Sequence, residues 1–451
     1  MEKYNVIFIG TGHACWHGAL TLTLAGKKVA MAECGVLGGT CTNFGCDAKI
    51  LLDSPFEYLD GLANYQGLCV EDLPQIDWTK LMAYKKEQIG MLPLGLGGLF
   101  QNLNMPVLQG KARILDAHTV QVGETCYEAE QIVIGTGARD FIPEIPGKEL
   151  LHTSRDFLDL DVMPDSLVFI GAGIISMEFA SIALKLGKKV TIVEFADRAL
   201  AAYPKAYVDK LVAKMEQEGA VFHFNEKVTG VEAAGAQVTV KTESGLAVTA
   251  DYALSAIGRV ANVEDLGLEE LGIEASRRGI KVNECLQTSV ENIYVSGDAI
   301  DKTIPKLTPT AAFESDYIAA HILGLNPGPI VYPAVPNLVF TLPRIAQVGV
   351  TVEEAAAAPE KYRTVSIPYG QMMLWNARNE KDIDITFIFD REQRLLAGAA
   401  IYGSDAGAWI DVLTLIINNK MNALQLGQQI FAFPTSTYGL ISTLLPQFNA
   451  E

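Results

Sequence analysis

Asn5-Val6-Ile7-Phe8-Ile9-Gly10-Thr11-Gly12 is answered later in the chain by Ser166-Leu167-Val168-Phe169-Ile170-Gly171-Ala172-Gly173. Each is an apolar run too short for a helix and closed by glycines, the pattern of a buried parallel strand that turns directly into a helix. The echo extends outward. Gly26-Lys27-Lys28-Val29 and Gly187-Lys188-Lys189-Val190 each begin 16 residues after the first glycine (26 − 10 and 187 − 171), and Glu33 and Glu194 each stand 23 after it (33 − 10 and 194 − 171). A lone GxG is weak evidence, but strand, glycines, helix and acidic residue recurring at the same offsets predict two nucleotide-binding βαβ units. Gly10 and Gly171 permit the tight turn, while Gly12 and Gly173 let the backbone approach a pyrophosphate at the positive end of a helix. Glu33 and Glu194 offer carboxylates to ribose hydroxyls, and at the second unit this selects NADH over NADPH. The fingerprint's third glycine is Cys15 in one unit and Ser176 in the other, both small enough for close helix–strand packing.

Further apolar runs end in glycine at Gln131–Gly137, Ala253–Arg259 and Asn292–Asp298, as crossings between nucleotide domains would, and Asp298 could hydrogen-bond a polyol or ribose. After Asn326-Pro327-Gly328-Pro329 the pattern changes to spaced strands (Thr364–Ile367, Asp384–Phe389, Leu395–Tyr402) with helical stretches at Ala406–Asn418 and Thr437–Leu445, which reads as a separate α+β domain. The 451 residues are 49% hydrophobic, which excludes disorder over any large fraction. Lys plus Arg number 35 against 53 Asp plus Glu, and the resulting −18 argues against nucleic acid or an anionic membrane as partner. No window approaches the roughly 18 apolar residues of a spanning helix, and Met1-Glu2-Lys3 leads straight into the strand-like Tyr4–Ile9, so no signal peptide is expected. Seven cysteines, five of them scattered, do not form a disulfide framework and point to a reducing cytoplasm.

Two of those cysteines set the chemistry. Gly38-Gly39-Thr40-Cys41-Thr42-Asn43-Phe44-Gly45-Cys46 places both thiols directly after the first acidic residue, beside the first dinucleotide. A pair five residues apart closes a ring only if the local helix is distorted, because the Cα atoms must come within about 4.4–6.8 Å, and the three glycines supply that freedom. The alternatives are a zinc half-site or two unrelated buried thiols. Zinc wants further Cys or His ligands at short spacing and none follow, so no metal site is assigned and redox chemistry is favoured.

With these motifs the chain resembles the class I pyridine nucleotide-disulfide oxidoreductases, the family of glutathione reductase, dihydrolipoamide dehydrogenase and mercuric reductase, over essentially its whole length. The matching segments are the loop at Gly10, the GGTCxNxGC box at Cys41, the Gly135 segment, the loop at Gly171, the Gly-Asp at Asp298, Leu307-Thr308-Pro309-Thr310-Ala311 and Val339-Phe340-Thr341-Leu342-Pro343. The resemblance implies an α/β fold of two Rossmann-like dinucleotide-binding domains plus a C-terminal α+β dimerisation domain. Residues 1–148 and 266–328 would bind FAD, 149–265 would bind NAD, and 329–451 would form the dimer interface. It implies FAD contacts from Gly10, Gly12, Glu33, Gly39, Thr40, Lys49, Gly137, Asp298 and Ala311, and NADH contacts from Gly171, Gly173, Glu194 and Gly258. Cys46 would be the thiol beside the flavin and Cys41 the interchange thiol that meets substrate, in a homodimer with active sites shared between subunits. Lys49 would pair with Glu178 near the flavin, although it stands one residue closer to the second Cys than usual and Asp47-Ala48 replaces an apolar-Pro pair.

The C-terminus departs from the family. Disulfide-reducing members carry His-Pro-Thr-x-x-Glu, whose His exchanges protons with the interchange thiol across the dimer interface. This chain reads Phe433-Pro434-Thr435-Ser436-Thr437-Tyr438, so the acid–base pair is Phe and Tyr. A phenyl ring carries no proton and a phenol is a poor base at neutral pH. His13 and His17, in Gly12-His13-Ala14-Cys15-Trp16-His17, stand where relatives have small residues; His13 would contact phosphate, pack, or serve as a substitute base, and His17 reads as structural. The remaining cysteines read as isolated small residues, and no cysteine pair follows in Leu445–Glu451. The expected function is therefore NADH oxidation through FAD and the Cys pair toward a metal ion, a quinone or an unusual disulfide. The alternatives are a small-disulfide reductase using His13, and a flavoprotein redox sensor without significant turnover.

Overall fold

The computed structural model of the protein describes residues 1–449, the side chains of residues 374–376 excepted. Of the C-terminal segment read above, Ala450 and Glu451 lie outside the described residues. Strand Glu2–Ile9 pairs in parallel with Val29–Glu33 on one side and with Thr125–Ile134 on the other. Its Val6, Ile7 and Phe8 have no exposed surface, so the run is buried on both faces, as its uninterrupted apolar sequence requires. Val107–Gln109 extends this sheet beyond Val29–Glu33, and an antiparallel ribbon, Ala112–Asp116 with Thr119–Val122, extends the opposite edge. The chain then leaves for more than a hundred residues and returns: Ile293–Val295 pairs in parallel with Ile132–Ile134 of the same sheet.

The excursion is the second unit. Ser166–Ile170, Lys189–Val193, Val221–His223 and Tyr252–Ser255 form a parallel four-stranded sheet, flanked by an antiparallel meander of Val228–Ala234, Gln237–Thr242 and Ala247–Ala250. The outward and return crossings pair with each other, Ala138–Asp140 against Arg259–Ala261. Beyond residue 335 a five-stranded antiparallel sheet runs in the order Asn337–Val339, Ile345–Gly349, Leu395–Tyr402, Asp384–Asp390, Tyr362–Pro368. Helix Ala406–Asn418 buries Trp409, Ile410 and Leu413 in a core shared with Phe387, Phe389 and Ile401 of that sheet. The fold is thus two βαβ-type units followed by an α+β domain.

One packing feature positions the thiols. Helices Cys46–Ala63 and Trp78–Asn102 follow the first unit in sequence, yet Leu52, Phe56, Trp78 and Met82 join a core with Phe157, Phe169 and Phe179 of the second unit and Leu342 and Tyr402 of the C-terminal domain. The segment that begins at Cys46 is therefore fixed by all three parts of the chain.

Candidate active site

The first GxG turn is shaped by close backbone approach. Gly10 has φ +117°, and a Cβ there would lie 2.6 Å from the Gly135 carbonyl; a Cβ on Gly39 (φ +69°) would lie 2.9 Å from Gly12 Cα. Neither position tolerates a side chain, so turn and redox box are held against one another. Thr11 ties them further: its N–H (3.1 Å) and hydroxyl (2.6 Å) donate to Glu33 Oε2, and the same hydroxyl accepts from Gly38 N–H at 3.2 Å. Glu33 Oε1 accepts from Gly35 N–H at 2.8 Å. The second unit repeats the device, with Glu194 accepting from Ala172 N–H and from Ala196 N–H at 2.7 Å. Both carboxylates that the sequence assigns to ribose thus also brace their own turns. Glu33 closes strand Val29–Glu33, whereas Glu194 stands one residue beyond Lys189–Val193.

A cavity of about 1070 Å³ runs from this turn to the thiols, and Gly10, Gly12, His13, Glu33, Gly39, Thr40, Cys41, Cys46, Gly137, Asp298 and Ala311 all line it. Lys49 and Glu178 are not among its lining residues, nor are Gly171, Gly173, Glu194 and Gly258 of the second unit. The residues fit a bound flavin dinucleotide: the cavity is lined by a glycine turn that bares the N-terminus of helix His13–Leu24. Asp298, moreover, receives no hydrogen bond to its carboxylate from any described residue, and its burial pushes it toward the neutral form against the pull of Arg259, Lys302 and Lys306. A ribityl or ribose hydroxyl would satisfy that carboxylate.

The redox box is a broken helix. Gly39–Phe44 stops at Gly45 (φ −146°, ψ −118°) and a new helix starts at Cys46. Asn43, which the sequence reading passed over, donates to the carbonyls of Leu37 (2.8 Å) and Gly39 (2.9 Å) and so fixes the entry to the box. Both cysteines are free thiols. The neighbouring Cys41 thiol, helped by the Thr308 hydroxyl 3.5 Å from Cys46 Sγ and by Lys49, lowers Cys46 to about 6. The same neighbourhood pushes Cys41 up. Thr308, in the Leu307–Ala311 segment quoted above, opens helix Thr308–Ile322.

Lys49 does reach Glu178: Nζ lies 3.1 Å from Oε1 and 3.0 Å from Oε2. Phe340, also missed, donates its N–H to Glu178 Oε1 at 2.8 Å and lays its ring 3.9 Å from Lys49 Nζ. His13 Nδ1 and His17 Nε2 are 3.0 Å apart. Phe433 and Tyr438 pack edge-on with ring centroids 5.0 Å apart, and they remain 69% and 39% exposed on the subunit surface.

Residues 4–315 match the family described as pyridine nucleotide-disulphide oxidoreductase, and residues 335–440 match its dimerisation domain. The chain belongs to this family. It is an oxidoreductase of the flavoprotein disulfide reductase type that pairs FAD with a nicotinamide nucleotide. Among its relatives, dihydrolipoyl dehydrogenase of Bacillus subtilis (strain 168) is 31% identical over 443 residues, covering 96% of this chain and 93% of the relative. Glutathione reductase of Burkholderia cepacia is 30% identical over 444 residues, covering 96% and 97%. Among solved structures, the HOCl-induced flavoprotein disulfide reductase RclA from Escherichia coli superposes with a TM-score of 0.87 at 26% identity, covering 97% of this chain and 99% of that one. The Cu(II) complex of RclA gives 0.88 at 26% identity, covering 99% and 100%. Among the described residues, no helix is long and apolar enough to cross a membrane.

Proposed function

We propose that this family member is an NADH-dependent flavoenzyme whose Cys41–Cys46 pair passes electrons to an acceptor that needs no proton from the partner subunit, a metal ion before a quinone or an unusual disulfide. Residues 1–148 and 266–328 are assigned to FAD, 149–265 to NADH and 329–451 to a homodimer interface, in a protein of the cytoplasm. The observation that carries the reading is the pair Phe433 and Tyr438, exposed at the segment where disulfide-reducing relatives keep His and Glu. General acid–base catalysis typically contributes 10²- to 10⁴-fold, so its loss weighs most on acceptors that must be protonated as they leave. A metal ion takes electrons without that step, and the RclA structures named above include a Cu(II) complex.

Bound FAD supplies the two-electron link between nicotinamide and thiols. Gly12 and Gly39 let the backbone reach its pyrophosphate, and Asp298 accepts a hydroxyl. Lys49, fixed by Glu178 and Phe340, holds a positive charge close to Cys46, where the thiolate forms. Cys41 stands between that thiolate and the acceptor. Glu194 orients the NADH ribose, while Arg198, the nearest arginine, spends its guanidinium on the carbonyls of Ala201 and Tyr203, away from any 2′-phosphate.

The test is NADH oxidation by the purified FAD-loaded enzyme with Cu(II) and other divalent metal ions, quinones, oxygen and small disulfides as acceptors. Metal ions or quinones should give the highest kcat/KM. A small disulfide that outperforms them overturns the reading.

A further inference from the structure

Whatever the acceptor, the thiol pair has a proton to move. Two-electron reduction of the Cys41–Cys46 disulfide breaks one S–S bond, leaves Cys46 as thiolate and places one proton on Cys41. Re-forming the bond hands two electrons to the acceptor and releases that proton. Phe433 can serve neither step. We infer that His13 and His17 form an acid–base pair within one subunit, in which His13 gives Cys41 its proton and takes it back while His17 positions the His13 ring. The inference deepens the function proposed above and rests on it for NADH as electron source.

His13 opens helix His13–Leu24 and shares the cavity with both thiols, Cys41 and Cys46, and His17 follows it on the same helix. The residue before it, Gly12, abuts Gly39 of the redox box, two residues before Cys41. His17 lies one turn further on, its Nε2 3.0 Å from His13 Nδ1, and its ring is stacked 3.7 Å from that of Trp16. A base held by a second group is the arrangement that efficient proton transfer needs. Both imidazoles are half-buried, and that burial favours their neutral forms. Two neutral imidazoles sharing one proton have two arrangements. With the proton on His13 Nδ1, Nε2 of His13 is an acceptor; with it on His17 Nε2, His13 keeps a proton on its own Nε2 to give away. Exchange between the two is the before-and-after of the Cys41 step, and half-burial leaves His17 open to water for the return.

The test mixes FAD-loaded enzyme with NADH in a stopped-flow instrument with no acceptor present, reading flavin bleaching and the long-wavelength thiolate–flavin band separately. In His13→Ala the band should form roughly 10²- to 10⁴-fold more slowly relative to the bleaching rate of the same variant, and added imidazole should restore part of the loss. His17→Ala should slow the band about tenfold and His17→Gln, whose amide can still meet His13 Nδ1, should restore it. A second readout needs no NADH: after reduction by a phosphine, alkylation of Cys41 by iodoacetamide at neutral pH should slow about tenfold or more in His13→Ala, measured by mass spectrometry. Band formation and alkylation within about twofold of wild type in both alanine variants overturn the inference. With no acceptor in the mixture, failure of the acceptor screen leaves these outcomes untouched.

Discussion

Lys49 Nζ sits between the two oxygens of Glu178, 3.1 Å from Oε1 and 3.0 Å from Oε2, and so joins the helix that begins at Cys46 to the helix of the second GxG unit. Glu178 is almost fully buried; burial pushes its carboxyl up and Lys49 opposes the push. Breaking a buried pair from one side leaves an uncompensated charge, so Lys49→Met should lose about 3–5 kcal/mol in denaturant unfolding, and Lys49→Met with Glu178→Leu should recover much of it. A carboxyl raised in the folded state carries no penalty below its unfolded value. The single variant's deficit should therefore be largest at neutral pH and shrink as pH falls toward 4.5.

Cys46 is held to about 6 by the neighbouring Cys41 thiol first, then by Thr308 and Lys49. In the two-electron-reduced enzyme the long-wavelength band should therefore titrate in with a midpoint near 6. Cys46→Ser should abolish it, and Cys41→Ser, which keeps a donor, should retain it. The opposite result would reverse the two roles. Because the thiol is lowered in the folded state, its contribution to reduced-protein stability should be full above the unfolded value of 9.0 and fade as pH falls through about 6.

Nucleotide choice is expected to follow from Glu194, braced by Ala172 and Ala196, and from an Arg198 already committed to backbone carbonyls. The enzyme should favour NADH over NADPH in kcat/KM by about tenfold or more, and Glu194→Arg should weaken NADH and narrow the gap. A higher kcat/KM for NADPH in the wild type would contradict the assignment.

One FAD per chain is expected, held where Gly12 and Gly39 meet. A Cβ on Gly39 would lie 2.9 Å from Gly12 Cα at a φ of +69°, so Gly39→Ala should displace the turn from the phosphates. Flavin content, read from the absorbance ratio of purified protein, should drop severalfold. Bound FMN in the wild type, or folded protein without flavin, would refute the assignment of the cavity.

The parts legible in the sequence are those where backbone geometry dictates residue type. Gly10 and Gly171 turn at φ values that side chains resist, and Val6, Ile7 and Phe8 must be apolar because both faces of their strand are covered. Lys49 was harder to place because its spacing from Cys46 is short; the break at Gly45 starts a new helix there, and the four-carbon stem spans the rest to Glu178. Thr308 at Cys46 and Phe340 at Glu178 could not be read, since their partners lie 262 and 162 residues away and local pattern carries no trace of such contacts. The brace from Glu33 to Thr11 was equally hidden, for a carboxylate that fits a ribose fits a backbone N–H as well.

The last expectation concerns Phe433 and Tyr438, whose ring centroids lie 5.0 Å apart on an exposed face. In exchange with a small disulfide the interchange thiol must lose its proton to attack, and the departing thiolate must gain one. A phenyl ring serves neither step. Phe433→His with Tyr438→Glu would put an imidazole and an orienting carboxylate on side chains already in contact, and NADH-linked reduction of oxidised glutathione or lipoamide should rise by up to roughly 10²-fold or more. Metal-ion or quinone reduction, which does not depend on that pair, should change little. If the wild type already turns over a common small disulfide at tens per second, a typical enzyme rate, the two aromatic residues impose no barrier and the choice of acceptor must have another cause.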